Sequence, residues 1–375
     1  MWLYRQVYRS QEGFEQMKMN RKIFLAGAAA LFLLGQVTAG FAAPQAAGGQ
    51  TDREMQHKVC LMWQQPKPEE KKLTFPGRPA GVNVVSPCWF NIADEQGKIT
   101  PIAEADPLYV QAAKQSGMKI WPLVTSGGFD AKTTAKLLHN PEGREKAAAN
   151  LVRLAKLYEL DGINLDFENI SYRDRDALTS FVTELSREMH KASLTVSIDI
   201  TAPSKDPDWS MCYDRKALAD QVDYVMLMSY DEYYAGSSEA GPVAELPWVE
   251  SGIRATLQEG VPKEKLLLGM PLYMRLWSET NGKAKSRTLH MPEAQKLWQQ
   301  KQAERSWVPE SGLYYYEYTE QGTRYRVWQE DARSLALKSA LISQYDLAGA
   351  ALWKKGVETE DVWPVLAAAL ENAER

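Results

Sequence analysis

The sequence predicts an α/β chain closed into a (β/α)8 TIM barrel, with a small α+β insertion between strands seven and eight. Three observations carry that expectation. Eight short apolar runs rich in β-branched and aromatic residues recur along the chain, amphipathic helical stretches separate most of them, and no Gly-x-Gly-x-x-Gly follows any run. Strands that are apolar throughout and alternate with helices pair in parallel under helical cover. Eight such strands are the number a barrel requires, and a doubly wound sheet is the competing architecture.

The first element is an address rather than part of the fold. Asn20-Arg21-Lys22 precedes an apolar run from Ile23 to Leu34, small residues follow to Ala39, and Gly40-Phe41-Ala42 offers a small-x-small cleavage site. That is the pattern of a secretory signal peptide over residues 1–42, cleaved after Ala42, which places the mature protein outside the cytoplasm at the cell envelope. The alternative is a single membrane anchor, but the strongly apolar part falls short of the ~20 residues a span needs. No stable anchor is therefore expected after cleavage. Glu12 and Glu15 precede the basic region, so a start at Met17 or Met19 would give a normal signal peptide. Residues 43–58 form a polar, small-residue leader, and the barrel is expected over 59–375.

The eight runs are Val59–Trp63, Gly81–Val85, Lys119–Thr125, Gly162–Phe167, Leu194–Ile200, Tyr224–Met228, Leu266–Met270 and Ala348–Trp353. Between them, Leu151, Leu154, Ala155 and Tyr158 follow helical spacing within Pro141–Tyr158, with Asn140 placed to cap the start. Arg173–Lys191, Asp214–Gln221, Leu246–Leu257 and Asp331–Tyr345 read as further helices. The connection Gln64–Ala80 is rich in Pro, Lys and Glu, so its outer helix is expected to be short or missing. The long connection before the eighth strand holds Gly312–Tyr318 and Arg324–Trp328 around Gly322, a hairpin within an insertion over about 276–330.

Composition narrows the function. The chain has 375 residues, 45% hydrophobic and 25% charged, a globular balance that excludes wholesale disorder. Net charge is −4, and the first 42 residues carry five basic against two acidic side chains, leaving the remainder near −7. Without a basic surplus, nucleic acid is not an expected partner. Four scattered histidines leave little for a metal site, and no metal or cofactor is expected. Three cysteines, Cys60, Cys88 and Cys212, match no disulfide framework and read as structural thiols. Twelve Trp and 17 Tyr are many for this length; such rings fill cores and also stack on the apolar faces of sugars. The protein is expected to be a monomer.

Chemistry concentrates on the fourth run, Asp161-Gly162-Ile163-Asn164-Leu165-Asp166-Phe167-Glu168. Side chains two apart in a strand share a face, so Asn164, Asp166 and Glu168 point into the bore while Ile163, Leu165 and Phe167 pack outward. Glu168 stands at the C-terminal end, where barrel active sites lie. Two close buried carboxylates cannot both ionise comfortably, so one keeps a proton near neutral pH, the preparation a general acid needs. The bland alternative is a buried polar network without chemistry.

This stretch resembles the Asp-x-x-Asp-x-Asp-x-Glu motif of glycoside hydrolase family 18, the chitinase-like enzymes; Asp161, Asp166 and Glu168 match, and Asn164 replaces the usual second aspartate. The asparagine form is similar to the branch containing spore-cortex-lytic N-acetylglucosaminidases. Met228-Ser229-Tyr230-Asp231 matches the family's sixth-strand Met-x-Tyr-Asp motif. Gly241-Pro242-Val243, Leu246-Pro247-Trp248-Val249-Glu250, Gly269-Met270-Pro271-Leu272-Tyr273, Val327-Trp328 with Glu330–Ser334, and Trp353 continue the similarity across roughly 81–366.

The resemblance implies a glycosidase acting on a polysaccharide that contains N-acetylglucosamine. Glu168 would be the acid, Asp166 the partner of the sugar's acetamido group, and Tyr230 a donor to the acetamido oxygen. Trp353 would be the floor under the reacting sugar, ahead of the alternative that a Trp ending a strand is core. Asp231 would contact substrate or cap a helix, and Asn164, Tyr273, Arg275 and Trp89 are candidates for substrate contact. Asp161 and Met228 would support the site; the alternative for Asp161, on the opposite strand face, is a purely structural role. A catalytically silent, lectin-like barrel is the competing class, and deacetylation would require a His/Asp metal site.

Overall fold

A computed structural model describes residues 58–373. The signal peptide, the alternative starts and all but the last residue of the polar leader lie outside the described residues.

Eight parallel strands form a closed ring, because the first, Val59–Gln64, pairs with both the second, Val84–Ile92, and the eighth, Gly349–Trp353. Between these run the third strand, in two pieces (Lys119–Ile120 and Leu123–Ser126), then Gly162–Asp166, Thr195–Thr201, Tyr224–Met228 and Leu266–Pro271. Pro122 divides the third strand: its nitrogen has no hydrogen to give, while its carbonyl accepts the Asn164 N–H at 3.0 Å. Closure is tight at Gly349, where φ is +154° and a Cβ would stand 1.8 Å from the Val59 carbonyl oxygen. No side chain fits there.

The second strand departs from expectation, running well beyond Val85 to Ile92. Pro87 lies just past the expected run. In the structure the strand continues through it, and its register against the third strand slips between Cys88 and Phe90.

Helices cover the ring where the periodicity places them. Pro141–Leu157 starts at Asn140, whose side chain accepts the Gly143 N–H, and Arg175–Lys191 follows a short turn at Tyr172–Asp174. Arg215–Gln221 is capped by Asp214, and Ala332–Gln344 opens with a reciprocal capping box between Asp331 and Ser334. Residues 65–83 carry neither helix nor strand, as the composition of that connection suggests. Leu246–Gln258 and the final Val362–Ala373 complete the cover near the end of the chain.

Between the seventh and eighth strands the chain builds a separate antiparallel sheet of five strands. Its order is Lys283–His290, Tyr273–Thr280, Thr323–Gln329, Leu313–Glu320, Ser306–Val308, with the helix Met291–Lys301 attached. The Leu313–Gln329 hairpin is the one that the Gly322 turn predicts. Only Leu272 separates the end of the seventh strand from Tyr273–Thr280, so the sheet grows directly from the rim of the barrel.

The lower bore is filled with large side chains. Trp121 stacks on Tyr224 at 5.5 Å between centroids, above which lie Leu61, Trp63, Met226 and Leu267. Cys60, Cys88 and Cys212 are buried and unpaired, and burial pushes the Cys60 and Cys212 thiols up to about 12. Among the described residues no helix is long and apolar enough to cross a membrane.

Candidate active site

The alternation of the fourth strand creates the site. Outward, Phe167 stacks on Phe181 of the covering helix, rings 5.5 Å apart and 15° from parallel, which anchors one face. The Tyr213 hydroxyl donates to the Phe167 carbonyl at 2.8 Å and fixes the backbone just before Glu168. The other face therefore turns Asp166 and Glu168 into an open cavity at the C-terminal mouth of the barrel.

Of the residues singled out from sequence, Glu168, Asp166, Tyr230, Asp231, Met228, Tyr273 and Trp353 all line this cavity. They come from the fourth, sixth and eighth strands and the start of the inserted sheet. Trp353 ends the eighth strand and meets Trp63 edge-on at 5.8 Å, so its ring belongs to both the cavity and the core beneath it. Tyr230 and Tyr273 meet edge to face at 6.4 Å. The Tyr273 hydroxyl donates to Asp231 Oδ1 at 2.5 Å.

Three residues are placed differently from expectation. Trp89 does not line the cavity: it is fully buried between strand and helices, against Tyr109 at 5.2 Å and Tyr158 at 6.5 Å. Its place beside the strand irregularity turns the ring outward from the bore. Asn164 is fully buried below the cavity with its amide committed to protein partners, so it is not a substrate contact. Arg275 stands behind the wall, its Nη2 3.8 Å from Asp231 Oδ1 and its Nη1 donating to Ser286. It acts on Asp231 rather than on the cavity. Asp161 is a strand tie, accepting the Ile120 N–H at 2.9 Å.

Two lining residues escape the sequence reading: Asp199 of the fifth strand and Trp209 in the loop that follows it. A signal for Asp199 exists. Ser197, Asp199 and Thr201 alternate with Val196, Ile198 and Ile200, the same polar-inward pattern as the fourth strand. Trp209 sits outside any periodic segment, and nothing in the local sequence marks it.

The electrostatics follow from crowding four carboxyls in a poorly solvated mouth. Glu168 is held well above the usual carboxylate range, first by burial, then by the charges of Asp166 and Asp231 and a hydrogen bond with Asp166. Asp166 is also raised well above its ordinary value by burial and by Asp199, against which the Glu168 hydrogen bond works. Burial raises Asp231, opposed by the Tyr273 hydroxyl and Arg275. The phenols of Tyr230 and Tyr273 are pushed up by burial and remain donors. Asp166 Oδ1 is buried with no hydrogen-bond partner in the protein, an acceptor directed at nothing the chain supplies. A protonated carboxyl on a cavity wall can give its proton to a bound group, and a bare acceptor beside it can receive an N–H or steady a positive charge. Among the described residues no group of three or more His, Cys, Asp or Glu is arranged to hold a metal ion.

Comparison with known proteins agrees with this geometry. The chain is 26% identical over 282 residues to the uncharacterized glycosylase YvbX of Bacillus subtilis, covering 73% of this chain and 80% of that protein. It is 28% identical over 241 residues to the cortical fragment-lytic enzyme of the same organism, covering 61% of this chain and 54% of the relative. A chitinase from Chromobacterium violaceum superposes with a TM-score of 0.72 at 25% identity, over 84% of this chain and 99% of that one. The model of the family "Glycosyl hydrolases family 18" matches residues 63–357, the whole ring apart from the start of its first strand. A match of that length, with the acidic motif lining the mouth of a closed barrel, makes this chain a glycosidase of family 18.

Proposed function

We propose that this glycosidase cleaves β-linked N-acetylglucosamine polymers, peptidoglycan ahead of chitin, by substrate-assisted catalysis with retention, the route general to family 18. The observation that carries the reading is one cavity wall that holds both Glu168, whose carboxyl is pushed well above the usual range by burial and by Asp166 and Asp231, and the unpartnered Asp166 Oδ1. Glu168 gives its proton to the glycosidic oxygen as the bond to the anomeric carbon breaks. The acetamido carbonyl oxygen of the same sugar attacks that carbon from the opposite face and forms a cyclic oxazolinium. Asp166 accepts the acetamido N–H through its free oxygen and steadies the positive charge; Tyr230 donates to the acetamido oxygen and holds it in line. Water then attacks the anomeric carbon and gives a proton to Glu168, which restores the acid and leaves the product with its original configuration.

Trp353 offers an apolar ring under the sugar from the eighth strand. Preference for peptidoglycan rests on Asn164, whose form of the motif is that of the cortex-lytic branch. Export rests on the pattern of residues 20–42 and would leave Ala43 as the mature N-terminus. Purified protein incubated with peptidoglycan and with chitin oligomers, with released ends identified by mass, tests the reading. New reducing N-acetylglucosamine ends from peptidoglycan support it, as does loss of those ends in Glu168→Gln; no cleavage of either polymer contradicts it.

A further inference from the structure

The buried amide of Asn164 draws attention to a third carboxyl, beside Glu168 and Asp166. Indole Nε1 is only a donor, so the Asn164 atom 2.7 Å from Trp63 Nε1 is its oxygen. The Nδ2 group is thereby turned toward the fifth strand, where it donates to Asp199 Oδ1 at 2.7 Å and Ser197 Oγ at 3.1 Å. Asn164 has no acid proton to exchange with Asp166, and its amide is already spent. The fourth and fifth strands are parallel, with Asn164 beside Ser197 and Leu165 beside Ile198. One step further along the same register sets Asp166 beside Asp199. Both carboxyls are at most 6% exposed, and both line the cavity.

We propose that Asp199 is a positioning residue for the hydrolysis, sharing one proton with Asp166 across the strand pair in the place that Asn164 cannot fill. The inference rests on Asp166 being the acetamido partner. Two neighbouring buried carboxyls titrate as a pair, so between them they hold one proton over a wide pH range. With the proton on Asp199, Asp166 is free to ionise as positive charge develops on the sugar. With it on Asp166, the resting site avoids two adjacent buried charges. Asn164 holds Asp199 Oδ1 as an acceptor, which leaves Oδ2 to carry the proton. The titratable groups acting with Asp199 are Asp166 and Glu168 from the fourth strand, Tyr230 after the sixth and Cys88 on the second. Arg275 acts on Asp231 and Lys354 on Cys88.

The test compares wild type, Asp199→Asn, Asp166→Asn and the exchanged pair Asn164→Asp with Asp199→Asn, on N-acetylated oligomers across pH. Asp199→Asn should lower kcat about tenfold or more with KM within about twofold, and move the acidic limb of the kcat profile to lower pH. The exchanged pair should recover part of the lost kcat. An Asp199→Asn enzyme with wild-type kcat and an unmoved profile overturns the proposal, provided Asp166→Asn is crippled. If Asp166→Asn is also unimpaired, the underlying assignment of Asp166 is what fails. A second measurement does not depend on Asp199 variants folding. In wild type with 13C-labelled aspartate, the Asp199 carboxyl should titrate in two steps that collapse to one, at lower pH, in Asp166→Asn. Single-step titration indifferent to Asp166→Asn overturns the sharing.

Discussion

Replacing Lys338 with methionine should cost the fold about 3–5 kcal/mol, the range for removing one partner of a buried ion pair. Lys338 Nζ donates to both Glu330 oxygens at 2.7 Å, and both side chains are 1% exposed. The pair sits where the inserted sheet rejoins the barrel, at the start of the helix Ala332–Gln344, and Ser334 Oγ adds a hydrogen bond to Glu330 at 2.6 Å. Without the ammonium, Glu330 keeps only that hydroxyl. Burial already pushes its carboxyl up, and Lys338 is the main force holding it down. At about 2.1 cal/mol/K per residue, the 316 described residues unfold with an entropy near 0.7 kcal/mol/K, so the loss should appear as a fall in Tm of about 5–7 °C. The sign with pH is definite. A carboxyl whose folded pKa is raised binds more protons in the native state, so its contribution to stability falls as pH rises from the unfolded value through the folded one. Removing Lys338 raises that folded value further, so the defect should be larger at pH 8 than at pH 5. Thermal and urea melts at both pH values measure it, with Glu330→Gln/Lys338→Met expected to recover much of the loss. A single variant within about 1 kcal/mol of wild type at pH 8 would refute the reasoning.

Trp353→Ala should weaken glycan binding about tenfold and, through the lost edge contact with Trp63, cost about 1 kcal/mol of stability; unchanged affinity in calorimetry with a large drop in Tm would make the ring purely core. Tyr273→Phe removes the hydroxyl that lowers the Asp231 pKa, so Asp231 should hold its proton to higher pH. Its negative charge then supports the Glu168 proton less, and the basic limb of the kcat/KM profile should move to lower pH; an unmoved limb contradicts the coupling. Glu168→Gln keeps the shape without the transferable proton, so turnover should fall about 10²-fold or more while binding persists in equilibrium titration. Near-normal turnover on a substrate with a poor leaving group would remove Glu168 from the role of acid.

Much of the architecture was legible because burial on both faces leaves a plain mark: apolar runs such as Leu266–Met270 or Tyr224–Met228 can be central parallel strands, and they are. The second strand outruns the expected Gly81–Val85, passing Pro87 to Ile92 with a register slip between Cys88 and Phe90. The hairpin Tyr273–His290 left little trace, since its outer strand Lys-Ala-Lys-Ser-Arg-Thr-Leu-His is mostly exposed and carries no apolar alternation. At the site, the two-residue parity of Asn164, Asp166 and Glu168 was sufficient to turn the carboxyls inward. The partners of Asn164 were not, because Trp63 lies 101 residues away and Asp199 35: the pairing of the fourth and fifth strands brings Asp199 alongside, and the closed ring brings Trp63 across the bore. Trp89 failed for a related reason: position near a strand end does not say which face a side chain takes beside an irregularity.

In the proposed hydrolysis the substrate supplies its own nucleophile, and the most direct measurement sets matched oligomers, with and without the N-acetyl group at the cleaved unit, against the enzyme while NMR follows the anomeric configuration of the product. Cleavage of the N-acetylated chain alone, with the β configuration retained and inhibition by a thiazoline analogue, is the predicted result. Efficient cleavage of the de-acetylated chain, or a sugar ester trapped on Asp166 or Glu168, would contradict it.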